Sequence, residues 1–230
     1  MQMNRSLVAF LAAASLSGCG RYREDLVYDH PVEYSWQEPE LGGEFALFQG
    51  VTWDPAVSRS LRPLLGDHSL VGNRTVLDLF SGPGVIAVAC GHEDAKRVLS
   101  LAENESAAAC ARYNVAAHAL DSIITVRLLE RQAALPLPAV ERFEVILATL
   151  TGDASEPAAG DVQILIQCIT GNLELGGRAF AVCLNDEVVA SLTVACEASN
   201  LTLLPARTSD PLLPVFEIQR PATTILPSAH

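Results

Sequence analysis

The chain has 230 residues, half of them hydrophobic, with 27 acidic against 15 basic side chains and a formal net charge of −12. That length and apolar content describe one globular domain with a small N-terminal extension, and they exclude a fibre or a disordered chain. The acidic surface repels phosphate backbones; with a single lysine, Lys96, and scattered arginines no basic patch offsets it, so a nucleic-acid substrate is disfavoured.

In chain order, "MQMNRSLVAFLAAASLSGCGRYRED" opens with Arg5, a short apolar run from Ser6 to Ser15, and "LSGC" at Leu16–Cys19. The run is too short to span a bilayer as a helix, which takes about 20 apolar residues. It has the length of a signal-peptide core. "LSGC" resembles the bacterial lipobox, which implies a signal peptide over 1–18 and lipidation at Cys19, placing the protein on a membrane; an ordinary apolar N-terminal helix and a cytoplasmic protein is the alternative. Residues 19–54 form an N-terminal extension with strand-like pieces at 32–37 and 43–50. A helix begins near Asp54–Pro55, since Asp caps helices and Pro suits their first turn.

From residue 75 strands and helices alternate. Strands are expected at 75–80, 97–102, 122–129, 142–150 and 177–184, with short ones near 201–204 and 214–219. Helices are expected at 85–91, 104–120, about 160–174 and about 186–199. Near-continuous apolar strands joined by helices give a doubly wound α/β fold: a mostly parallel sheet with helices on both faces, its last strand antiparallel. The domain spans 55–220, and 221–230 is a loose tail. Cys90, Cys110, Cys168, Cys183 and Cys196 fall in apolar elements without metal-ligand spacing, so no metal site is expected. His68, His92 and His118 stand alone, and no nucleophile elbow occurs. Trp36 and Trp53 either pack or line a substrate mouth.

The chemistry concentrates in "TVLDLFSGPGVIAVAC", residues 75–90, where a strand ends in a glycine-bearing turn and a helix follows. Ligands of open α/β sheets bind beyond the carboxyl ends of strands. Gly82 and Gly84 permit positive φ and close ligand approach, and a helix N-terminus offers unpaired N–H groups. Asp78 ahead of the glycines would repel a pyrophosphate, which disfavours a nicotinamide-binding oxidoreductase; it can accept from an ammonium group.

This stretch resembles motif I of the class I S-adenosylmethionine-dependent methyltransferases, and the likeness runs over roughly residues 45–220. "LFQGVTWDPAVSRSLRPLL" resembles the lead-in of the ribosomal-protein and ribosomal-RNA groups. "AKRVLSLAENESAAACARYNVAAH" resembles the second strand and helix, with Asn114 where the family often carries Asn, and "LELGGRAFAVC" resembles the turn before the fifth strand. The resemblance implies a Rossmann-like methyltransferase domain with S-adenosylmethionine as cofactor and a protein or small molecule as substrate. It implies Asp78, Ser81, Gly82 and Gly84 against the amino-acid end of the cofactor, Glu103 at the ribose and Glu130 on the adenine side. Two positions depart from the family. Its ribose-clamping acid aligns with Ala102, so Glu103 is either a one-residue-shifted substitute or a solvated helix cap. Glu130 is either an adenine-side acid or an exposed loop carboxylate. "ATLTGD" at 148–153 replaces the Asn-Pro-Pro signature of amino-directed relatives, leaving Thr149 and Asp153 as candidate substrate-facing residues. A non-catalytic, membrane-anchored binding relative of the same fold is the alternative.

Overall fold

The computed structural model describes residues 30–66, 69–131, 137–151, 158–207 and 212–221. The expected signal peptide, Cys19, His68, Asp153 and nearly all of the tail lie outside the described residues.

Two strands, β1 (Val32–Glu38) and β2 (Gly43–Phe48), form an antiparallel hairpin through a 3-10 turn at Pro39–Leu41. Helix α1 (Pro55–Leu65) follows, and its first turn obeys the sequence: the Asp54 carboxylate accepts from the Ala56 N–H at 2.8 Å, with Pro55 in the first helical position. Then come β3 (Thr75–Leu79), α2 (Val85–His92), β4 (Arg97–Ala102), α3 (Glu105–Ala117), β5 (Ile124–Leu128), β6 (Phe143–Leu150), α4 (Ala158–Asn172), β7 (Leu173–Cys183), α5 (Asp186–Ala198), β8 (Thr202–Pro205) and β9 (Val215–Gln219).

The seven-stranded sheet runs β5-β4-β3-β6-β7-β9-β8. Its first five members are parallel, β9 runs antiparallel to β7, and β8 antiparallel to β9. The chain winds outward from β3 to β5, then returns to β6 on the other side of β3, so the switch point lies between β3 and β6. Alternation sorts the core. Leu77 and Leu79 face α4 and α5 in one buried cluster, and Val76 points to the opposite layer of α1 and α2. The hairpin shares this second core: Phe45 is fully buried in it, and Ala46, Leu47 and Phe48 close a third cluster with Ala102 and α3.

One boundary differs from expectation. Strand β7 begins at Leu173, directly off α4, and its register jumps from Phe143↔Leu173 to Val145↔Arg178. Residues 174–177 bulge opposite Glu144, with Gly176 at φ +78°. The expected Gly-Gly turn is absorbed into the strand as a bulge. Helix α4 stops at Asn172, whose amide donates to the carbonyls of Pro138 and Glu141.

Candidate functional site

The turn after β3 is tight. Phe80, Gly82 and Gly84 have φ of +61°, +50° and +81°, and the Gly84 N–H donates to the Ser81 carbonyl at 2.8 Å. The two glycines are needed for contact as well as for conformation. A Cβ on Gly84 would meet the Ala111 Cβ of α3 at 3.0 Å, and one on Gly82 would meet the Thr52 carbonyl at 3.1 Å. The back of the turn is therefore covered by protein, and a ligand can reach only its other side.

Gly84 is the N-cap of α2 and has no side chain to satisfy the first-turn N–H groups. Asp78 supplies that function from below. Its carboxyl accepts from the Ala87 N–H, but its Oδ2 has no hydrogen-bond partner among the described residues. Burial pushes Asp78 well above the usual carboxylate range, and the neighbouring Glu103 carboxylate pushes the same way; the Ala87 N–H opposes both. Ser81 and Ser100, both buried, also leave their hydroxyl oxygens without partners among the described residues. Ser100 stands opposite Asp78 in the β3–β4 register.

Ala102 and Glu103 face opposite ways, as alternation requires. Ala102 is sealed beneath the hairpin among Ala46, Leu47, Phe48 and Val51. Glu103 turns to the glycine turn, where its Oε2 accepts from the Gly82 N–H at 3.3 Å. Its carboxyl is raised, first by burial and secondarily by Asp161; N–H donors and Arg131 pull it down. Arg131, just beyond β5, pairs with Asp161 in the first turn of α4, and its guanidinium carbon lies 5.9 Å from the centre of the Phe80 ring. Of the residues singled out in the sequence, Asp78, Ser81, Gly82, Gly84 and Glu103 thus converge at the glycine turn after β3. Thr149 is buried at the end of β6, two strand ends from Glu103, and Glu130 is exposed past β5. Phe80, Arg131 and Asp161 carried no sequence signal, because a pair 30 residues apart and a φ > 0 phenylalanine leave no local pattern.

Asn114, fully buried on α3, has a larger part than its motif position suggested. Its Oδ1 accepts from the Ala46 N–H at 2.8 Å, and its Nδ2 donates to the carbonyls of Ala46 at 2.9 Å and Pro83 at 2.8 Å. Trp36 and Trp53 pack: their rings stack at 6.3 Å, and Trp36 stacks on Phe45 at 5.5 Å. His92 and His118 are not isolated. Their rings touch, Nε2 to Nδ1, at 3.3 Å, with His118 also 4.4 Å from the Phe45 ring centre.

The strand order, the glycine turn at the switch point and the antiparallel β9 define a Rossmann-like methyltransferase fold. No protein-family model and no curated protein matches the sequence. Solved structures do match. The ribosomal protein L11 methylase of Lactobacillus delbrueckii subsp. bulgaricus superposes with a TM-score of 0.56 at 20% identity, covering 76% of this chain and 83% of that one. The precorrin-6y C5,15-methyltransferase of Geobacter metallireducens gives 0.55 at 14%, covering 76% and 91%. The precorrin 8w decarboxylase of Methanobacterium thermoautotrophicum gives 0.55 at 17%, covering 77% and 96%. Likeness at these identities establishes the fold, and the printed activities differ from one neighbour to the next.

Proposed function

We propose that the protein binds S-adenosylmethionine at the glycine turn and transfers its methyl group to a protein or small-molecule substrate. The observation that carries this reading is the Asp78 carboxylate: buried, held at the turn, and left with one oxygen unpartnered where a ligand ammonium could supply the missing hydrogen bonds. The donor set fits the cofactor. Carboxylates of Asp78 and Glu103 suit a ligand carrying ammonium and sulfonium charge and ribose hydroxyls, and the first-turn N–H groups of α2 suit its carboxylate. The bound cofactor supplies an electrophilic methyl. Asp78, Ser81 and the Gly82–Gly84 backbone hold its amino-acid end, Glu103 its ribose, and Glu130 lies on the adenine side. Thr149, with Asp153 beyond it in the chain, faces the substrate. These residues contribute orientation, which supplies about 7 kcal/mol of a transfer barrier when the geometry is good.

A second reading is favoured by Ala102. Its place beneath the hairpin removes the acid expected there, and a relative that keeps the fold and binds without turnover would tolerate that loss. Incubation with labelled S-adenosylmethionine and fractionated protein and metabolite extracts separates the two: label transfer supports the enzyme, and saturable binding without transfer supports the binding relative. We further propose attachment to a membrane through lipidated Cys19. Cys19→Ala should release the chain from the membrane fraction of a bacterial host, and a variant that fractionates like the parent removes the anchor from the account.

A further inference from the structure

We propose that Asn114 is a positioning residue through which the docked β1–β2 hairpin sets the shape of the glycine turn. The hairpin lies outside the main sheet. It reaches the turn from behind, by two routes.

The first route is the Asn114 amide. A carboxamide has distinct ends, an acceptor oxygen and a donor NH2. The Ala46 N–H requires the oxygen at 2.8 Å, which fixes the amide's orientation. One N–H then meets the Ala46 carbonyl, and the other is delivered to the Pro83 carbonyl. The peptide unit between Pro83 and Gly84 is thereby held at both ends, since its N–H donates to Ser81. This unit leads directly into α2, so it aims the first-turn N–H groups. Without the Ala46 N–H the amide is free to turn, and the buried Pro83 carbonyl loses its donor. The second route is direct: the Thr52 carbonyl and the Trp53 ring, where the chain leaves the hairpin, lie against the back of Gly82.

The hairpin has its own attachments away from the turn. Phe45 packs on His118 and Trp36, Gly43 abuts the His118 imidazole, and Arg62 of α1 pairs with Glu38 and Glu40. A two-stranded hairpin is marginal by itself, so it is either docked or loose. An element with two states, biased by contacts at one end and touching the turn at the other, is what coupling requires. The affinity part of the inference rests on the cofactor reading above; the mechanical part does not.

Three variants of the full chain test it. Asn114→Asp keeps the acceptor for the Ala46 N–H and removes both donors. Gly43→Ala places a methyl into the His118 imidazole, and Arg62→Met removes the ion pairs to Glu38 and Glu40; both loosen the hairpin at a distance from the turn. Amide hydrogen exchange is followed over residues 43–53 and 80–88, beside calorimetric titration with S-adenosylmethionine. Asn114→Asp should speed exchange over 80–88 about tenfold, the effect of one lost buried hydrogen bond. Gly43→Ala and Arg62→Met should speed 43–53 and carry 80–88 with it. Cofactor affinity should fall in parallel, and Asn114→Asp combined with Gly43→Ala should weaken it by less than the sum of the two single effects, because the variants share the Asn114 route. Wild-type exchange over 80–88 in Asn114→Asp, or in a variant whose hairpin exchanges fast, overturns the inference. If the parent binds no S-adenosylmethionine, the cofactor reading falls and the exchange data still decide this one.

Discussion

Asp78→Asn should make the protein more stable at neutral pH and abolish its proposed ligand binding. The buried carboxylate has one N–H partner, from Ala87, and one oxygen with none, and Glu103 repels it. A buried polar group without its partner costs about 1–3 kcal/mol. The opposing gain, a negative charge near a helix N-terminus, is about 0.3–1 kcal/mol. The amide still leaves one polar atom unpartnered, but it keeps the bond from Ala87 and removes both the extra cost of burying a charge and the repulsion from Glu103, so it should gain about 1–2 kcal/mol. The pH dependence gives the assay its sign. Asp78 has a raised folded-state pKa, so above the unfolded value of about 3.9 the folded protein holds the proton longer than the unfolded chain. Stability falls as pH rises through that window and stays reduced above it. In urea unfolding, Asp78→Asn and the parent should coincide near pH 4 and diverge by pH 8, where the midpoint of the variant rises by about 0.5–1 M at a slope of about 2 kcal/mol/M. A variant less stable than the parent at pH 8, or a difference independent of pH, refutes this reasoning and makes Asp78 a helix cap first.

Gly84→Ala should lose about 2–5 kcal/mol, from φ of +81° and a clash with Ala111, whereas Gly160→Ala in α4, where a Cβ meets nothing within 4 Å, should be neutral or stabilising; the two unfolding curves check it. Ala102→Asp, which restores an acid at the aligned position, should cost about 2–4 kcal/mol and add no affinity, because that side chain enters the apolar cluster under the hairpin; denaturation and titration read both. His118 titrates below its ordinary 6.5, held down by burial and then by His92, against the backbone of Glu44. The folded protein thus binds fewer protons than the unfolded chain just below pH 6.5, and stability is lost as pH falls through that window. His118→Gln should flatten the loss below pH 6.5, read from urea midpoints as the pH is lowered.

Much of the fold was legible because each strand announced itself. Runs such as Thr75–Leu79 and Phe143–Leu150 are apolar on both faces, as a sheet covered on both sides demands, and Asp54–Pro55 marked a helix start with a mechanism attached. The β7 bulge was hidden, since "LELGG" reads equally as a turn before a strand or an irregularity within one. At the site, Asp78 and the glycines followed from local strand–turn–helix order. What could not be read was anything made by tertiary contact. Arg131 meets Asp161 only because β5 ends and α4 begins on the same edge of the sheet, and the cover over Ala102 comes from a hairpin more than 50 residues away. Asn114 did leave a trace, as a polar residue in an alanine-rich helix, but its partners at Ala46 and Pro83 lie 68 and 31 residues away.

Calorimetric titration of the protein with S-adenosylmethionine and S-adenosylhomocysteine, beside Asp78→Asn, decides whether the glycine turn is a cofactor site. The parent should bind both compounds saturably at micromolar concentrations, and the more stable variant should bind neither. A folded parent that takes up neither compound would contradict the cofactor reading.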